Sequence, residues 1–354
     1  MTAILKREMK NYIKQPLFWI GVIIVIIGVY QAIVPYLETH YLEKGEEIIN
    51  DYPEEIHLGE VYEGYVPSTN EYRRESWNKT MKETLLSEFQ LSGEEVQNVM
   101  NHIEDMDIND ACAYLEEQYQ YYGAFNVYEE SAYHKGTREE INGYLDDVLE
   151  NHTFSYYFAR KFADFAGLHM GFFATILLSV LFWQDTRKYT YELLHTKPIK
   201  AESYVIGKVG GGFCVCLFTL GILNIFFWIL CIIKTKNSGF EVRVWDFLSA
   251  TIVYILPNML MIVCVYTLIA LLFKNPLPGV PFLILYILYS NMGSVNKEGV
   301  YGYYGRPLAI MVRFPGQFFD TAPPPLVLLN QSLLLGMSVL LLFVSIFLWK
   351  RRRM

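Results

Sequence analysis

Residues 183–208 read WQDTRKYTYELLHTKPIKAESYVIGK. Acids (Asp185, Glu192, Glu202) alternate here with bases (Arg187, Lys188, Lys197, Lys200), yet apolar runs flank the stretch on both sides. Each flank is near the length that crosses a bilayer, so the chain leaves lipid here and returns to it. A plain hairpin between helices needs about 2–8 residues, and this connection is longer. Tyr189, Leu193 and Leu194 can share one face of a helix of about ten residues, which Pro198 then ends. The stretch reads as a surface that docks on something in the cytoplasm. The plainer reading is a solvated extension of two transmembrane helices.

Working outward, six apolar segments can be marked: 17–37, 161–184, 209–233, 247–273, 277–292 and 326–349. The fifth is short and interrupted by Pro278 and Pro281. Hydrophobic residues make up 53% of the chain and charged ones 19%, below the roughly 25% usual in soluble domains. An integral membrane protein is expected. The first segment is too long for the core of a signal peptide and reads as a retained anchor.

The net charge of −8 hides an asymmetry. Residues 38–150 hold 28 acids and 7 bases, which leaves 9 acids and 22 bases for the rest of the chain. Short cytoplasmic loops favour Lys and Arg. Six crossings put Lys6, Arg7, Lys10 and Lys14, the 185–208 loop, Lys274 and the tail 350–354 on that side, with the acidic insert 38–160 outside. Lys234, Lys236 and Arg243 fall on the wrong side of this scheme. The bulk expectation is therefore an all-α, six-helix transmembrane bundle with an extracellular domain between the first and second crossings.

Residues 1–16 read as an amphipathic helix lying in the membrane interface. Ile4, Leu5, Met9, Tyr12 and Ile13 share a face, and the lysines lie largely opposite, toward anionic lipid headgroups. The insert is expected to be helical. Ser68, Ser92 and Thr137 each precede a glutamate by three residues, the capping-box spacing. Single-face stripes follow: Trp77, Met81, Leu85 and Phe89; then Val96, Val99, Met100 and Ile103; then Cys112, Leu115, Tyr119 and Tyr122. Cys112 is the only cysteine there, so no disulfide framework can form within the insert. Residues 293–325, rich in Gly and Pro, are expected to form short re-entrant or surface helices capping the bundle.

Motifs for chemistry are lacking. Gly207-Lys208 is followed by Val209 rather than Ser or Thr, which excludes a phosphate loop. Gly210, Gly211 and Gly212 fit close helix packing better. No histidine pair has zinc spacing, so no metal, cofactor or ATP site is expected in this chain, and no nucleic-acid partner. His169, inside the second crossing, is a functional candidate because ionisable groups are costly there. The plainer reading is a neutral histidine bonded to a neighbouring helix.

The loop resembles that of type-2 ABC transporter permeases. Their pattern runs Glu-x-x-x-Gly-Thr-x-Glu-x-Leu, then Pro-hydrophobic, then Gly-Lys. Here Asp185, Tyr189-Thr190, Glu192, Leu194, Pro198-Ile199 and Gly207-Lys208 stand in matching order, with Tyr189 in place of the family glycine. The resemblance implies that residues 186–196 form a coupling helix, with Asp185, Arg187, Lys188, Tyr189, Thr190, Glu192, Leu193, Leu194, Lys197 and Pro198 facing a separate ABC ATP-binding subunit that holds ATP and Mg. It also implies a second permease chain, as homodimer or heterodimer. The expected substrate is amphipathic or hydrophobic, such as a peptide toxin, an antimicrobial or a drug. A second class stays open: a membrane sensor or anchor whose outer domain binds a ligand and whose loop docks a signalling partner.

Overall fold

The computed structural model describes residues 2–46, 59–186, 199–295, 301–302 and 305–353. It divides into two compact units, one of Met1–His40 with Val148–Met354 and one of Tyr41–Asp147.

The first unit opens with α1 (Thr2–Ile13) and α2 (Pro16–Ile33). Pro16 sits at the first position of α2, where its missing N–H costs nothing and its fixed φ starts the helix.

In the second unit, α3 (Asn70–Ser87), α4 (Gly93–Ile103), α5 (Ile108–Tyr119) and α6 (Ala124–Glu130) close around one core of Trp77, Met81, Leu85, Val99, Ile103 and Leu115. The indole of Trp77 donates to Ala124 O at 2.7 Å, so its one polar atom is satisfied inside that core. The capping boxes at Ser92–Glu95 and Thr137–Glu140 form as the spacing predicts. The third differs: Thr69, not Ser68, caps α3 by accepting from Tyr72 N. Ser68 is taken up by a small ribbon in which β1 (Tyr65–Pro67) pairs antiparallel with β2 (Tyr133–Lys135). Its N–H donates to Ala132 O at 2.8 Å, and its hydroxyl meets His134 Nδ1 at 3.0 Å. The stripe on α5 also ends earlier than the spacing suggests. Gln120 takes a left-handed conformation (φ 56°), which turns the chain and leaves Tyr122 exposed. Helix α7 (Arg138–Asn151) leads the chain out of the insert.

The first unit resumes with α8 (Phe154–Thr186), α9 (Ala201–Thr235) and α10 (Val244–Ala250). A π-helical turn (Thr251–Ile255) joins α10 to α11 (Leu256–Phe273). Pro257 explains the turn. It has no N–H for the carbonyl four residues back, and its ring clashes there, so the backbone widens. Then come α12 (Gly279–Asn291) and α13 (Val327–Arg353).

Among the described residues, five helical stretches have the length and hydropathy to cross a membrane: Pro16–Glu38, Phe154–Val180, Ala201–Thr235, Val244–Phe273 and Val327–Arg351. The protein is thus a helical, multi-pass membrane protein. The fifth segment of the expected bundle is a helix of 13 residues. It rises about 20 Å, short of the roughly 30 Å hydrocarbon core. Pro278 delays its start, and Gly279 lets it close onto the ring of Tyr266, whose hydroxyl donates to Pro276 O at 2.8 Å.

Among the described residues of 293–325, the expected short helices are not found. A two-residue ribbon pairs β3 (Ser294–Val295) with β4 (Tyr301–Gly302), and residues 305–326 run without helix. Pro307, Pro315 and the three prolines 323–325 remove donors, while Gly305 and Gly316 turn the chain at φ 78° and 89°. Ile310, Met311, Phe314 and Phe318 are nonetheless buried. Buried irregular backbone needs partners, and side chains of the neighbouring helices supply them. Tyr286 donates to Leu308 O at 2.6 Å, Ile310 N–H donates to Ser290 Oγ at 3.0 Å, and Asn330 donates to Ala309 O at 2.9 Å.

Candidate functional site

Asp185 falls in the last turn of α8. Arg187, Lys188, Tyr189, Thr190, Glu192, Leu193, Leu194, Lys197 and Pro198 lie outside the described residues. The two stems of the loop are described, and so is what holds them.

Helix α1 packs along the first turns of α9. Glu8, on α1, pairs with Lys208 at 2.9 Å, and both side chains are at least nine-tenths buried. Two glycines of α9 permit the approach. A Cβ on Gly211 would lie 2.8 Å from Glu8 Cβ, and one on Gly210 would lie 3.2 Å from Leu5 Cδ1. The glycine run thus serves close packing, as its composition suggests. Tyr12 donates from the same helix to Leu177 O on α8 at 3.2 Å. One face of α1, bearing Leu5, Glu8 and Tyr12, therefore bridges the helices on either side of the loop. Lys6, Arg7, Lys10 and Lys14 are exposed. A charged pair on the packing face was not legible in the sequence, because Glu8 sits amid the apolar positions of α1 and its partner is 200 residues away.

The C-terminal end of α13 meets the same stem. Trp349 stacks on Tyr204 with ring centroids 4.0 Å apart, and Lys350 pairs with Glu202 at 2.6 Å. Both ends of the chain and the base of the loop therefore share one end of this unit. Helices α1 and α13 are thus each fastened to the first turns of α9.

Toward the other end of α8 lies a second charged cluster that sequence reasoning missed. Asp164 is buried, forms an ion pair with Arg313 and accepts from Phe314 N at 2.9 Å. Lys161, also buried, donates to Gly316 O at 2.7 Å, and Arg160 donates to Thr321 O. Three charged side chains of α8 thus bind residues 305–326, from more than 140 positions away in sequence.

Among the described residues, His169 has no hydrogen bond to a neighbouring helix. Its Nδ1 donates to Phe165 O of its own helix at 2.8 Å. The ring instead lies against α2 at Gly28, where a Cβ would come within 2.5 Å of it. Its position is that of a packing residue which needs a glycine opposite.

Two groups of the insert are shifted in ways that bear on chemistry. Burial pushes the Cys112 thiol up to about 11, so it is neutral and inert at physiological pH. The backbone N–H of Ser92, followed by its hydroxyl, holds the Glu95 carboxyl below its ordinary value.

A family model described as ABC-2 family transporter protein matches residues 2–300, from α1 through the insert to the end of α12. No curated protein and no solved structure matches the chain.

Proposed function

This chain belongs to the ABC-2 transporter family, and on that premise we propose that it is the membrane subunit of an exporter driven by ATP hydrolysis in a separate subunit. The observation that carries the reading is the bracing of the α9 stem of the loop by the Glu8–Lys208 pair and the Tyr204–Trp349 stack, with Tyr12 tying α1 to α8 as well. A loop that merely linked two helices would need no such anchorage. On this reading residues 186–196 sit in a groove of the ATP-binding partner, which holds ATP and Mg. Closure of two partners pushes the loop, and α9, α1 and α13 carry the movement into the bundle.

The even crossing count is part of the proposal. It is supported by the shared end of the two termini and by the apolar helix α12, with residues 305–326 making up the depth that α12 lacks. Positive flanks then favour cytoplasmic termini and an outer position for the acidic insert. Two chains, as homodimer or heterodimer, enclose the path. Because the spans are predominantly apolar and aromatic, an amphipathic or hydrophobic cargo, such as a peptide or drug, is favoured. Family membership favours this reading over a sensor that docks a signalling partner.

The experiment is Leu194→Asp in the intact chain, coexpressed with the candidate ATP-binding subunit. Copurification and cargo-stimulated hydrolysis should both be lost while the chain still inserts and runs as a single species. Unchanged binding and turnover would refute the docking assignment.

A further inference from the structure

A cleft of about 180 Å³ opens between residues 305–312 and the first turns of α13. That volume is well below the roughly 300–1,000 Å³ that encloses a whole small molecule, so the cleft suits part of a chain. Ala309 and Met311 line its buried side. Leu329 and Leu333, one turn apart on α13, line its open side and are 58% and 48% exposed. In a membrane-spanning helix such exposure faces lipid. The one charged residue in the lining is Arg306. Its guanidinium lies over the Tyr289 ring at 5.2 Å and donates one bond, at 2.8 Å, to Gly293 O. Among the described residues no carboxylate pairs with it, and most of its five N–H donors remain. A half-buried cation beside an apolar slot, at the end of a span, is complementary to an anion that carries a hydrocarbon tail.

The geometry points to a phospholipid site: part of one acyl chain lies in the cleft, and the phosphate of an anionic headgroup sits on Arg306. The apolar walls supply the burial. Arg306 supplies the selectivity, because a guanidinium meets phosphate through paired N–H donors. This site lies apart from the loop stems and stands whether or not the transport reading does. A lipid there would hold residues 305–312 against α13, as the Asn330 bond to Ala309 O already does.

The test is native mass spectrometry of the detergent-solubilised full chain, titrated with phosphatidylglycerol, phosphatidylcholine or diacylglycerol. One phosphatidylglycerol should be retained most tightly and diacylglycerol least. Arg306→Gln should weaken phosphatidylglycerol binding about fivefold, the equivalent of one basic group near a phosphate. Arg306→Lys should keep most of it. Leu329→Trp, on the open side, should expel the lipid without touching the charge. Equal retention of diacylglycerol would overturn the assignment, as would Arg306→Gln and Leu329→Trp both binding like the parent. Displacement of the lipid by a hydrophobic peptide, or by self-association of the chain, would give the cleft to another occupant and equally overturn it.

Discussion

Consider Gly211→Ala. In a helix interior this exchange ordinarily stabilises by about 0.8–1.0 kcal/mol, since glycine loses more backbone freedom than alanine. At Gly211 the new methyl would meet Glu8 Cβ at 2.8 Å and Glu8 Cγ at 3.3 Å, with Leu5 Cα at 3.9 Å. Glu8 cannot swing aside cheaply, because Lys208 holds its carboxylate at 2.9 Å in a buried pair. Overpacking of this kind costs about 1–3 kcal/mol. The clash therefore wins, and the net effect is a loss of roughly 1 kcal/mol, with α1 displaced from α9. Gly221 is the control on the same helix, with nothing within 4 Å of its would-be Cβ. Gly221→Ala should keep the propensity gain. Both variants would be purified in detergent and melted by intrinsic fluorescence, and a cysteine pair across the α1–α9 seam would report separation. Gly211→Ala should melt below the parent and Gly221→Ala at or above it. If Gly211→Ala melts as high as Gly221→Ala and the seam still cross-links, α1 is not seated on α9 as described.

Three further outcomes are expected. Arg313→Gln removes the cation facing buried Asp164 and should cost about 3 kcal/mol, the lower part of the range for breaking a buried pair because Arg313 is partly exposed; faster proteolysis within residues 305–326 checks it, and adding Asp164→Asn should restore part of the loss. Glu95 and Glu140 are both held below their ordinary value of 4.5, chiefly by the backbone N–H of their capping partners Ser92 and Thr137. Their contribution is therefore complete above pH 4.5 and disappears as the pH falls through the lowered values; hydrogen exchange should show the first turns of α4 and α7 opening before their centres on acidification. Cys112, whose thiol is pushed up to about 11, should resist iodoacetamide at pH 8 until the insert is denatured, as peptide mass spectrometry of that site would show.

The spans were legible because apolar length is a local property. Their bounds were less so. α8 begins at Phe154, before the expected crossing at 161, because the aromatic stretch continues the helix. In the insert, the faces of α3 and α4 followed from residues three and four apart, and Trp77, Met81 and Val99 lie where that spacing puts them. Residues 305–326 were misread because Leu308 through Val312 is apolar enough for a helix. What holds that run as irregular chain is distant: Asp164 for Phe314 N, Ser290 for Ile310 N. The brace of the candidate site was hidden for the same reason. Neither Glu8 nor Lys208 announces a partner, although the glycines at 210 and 211 marked where a helix comes close.

The widened turn at Thr251–Ile255 holds one residue more than an ordinary turn would. It acts as a slack link. Shortening the chain by one residue between Ala250 and Pro257 can be absorbed by tightening that turn, so the stretch beyond keeps its bearing. The same deletion a few positions later, within α11, would rotate everything after it by about 100°. Met261, Ile262 and Tyr266, now inward, would then swing out of their seats. Natural length variation in this span should therefore gather at the slack link and avoid α11.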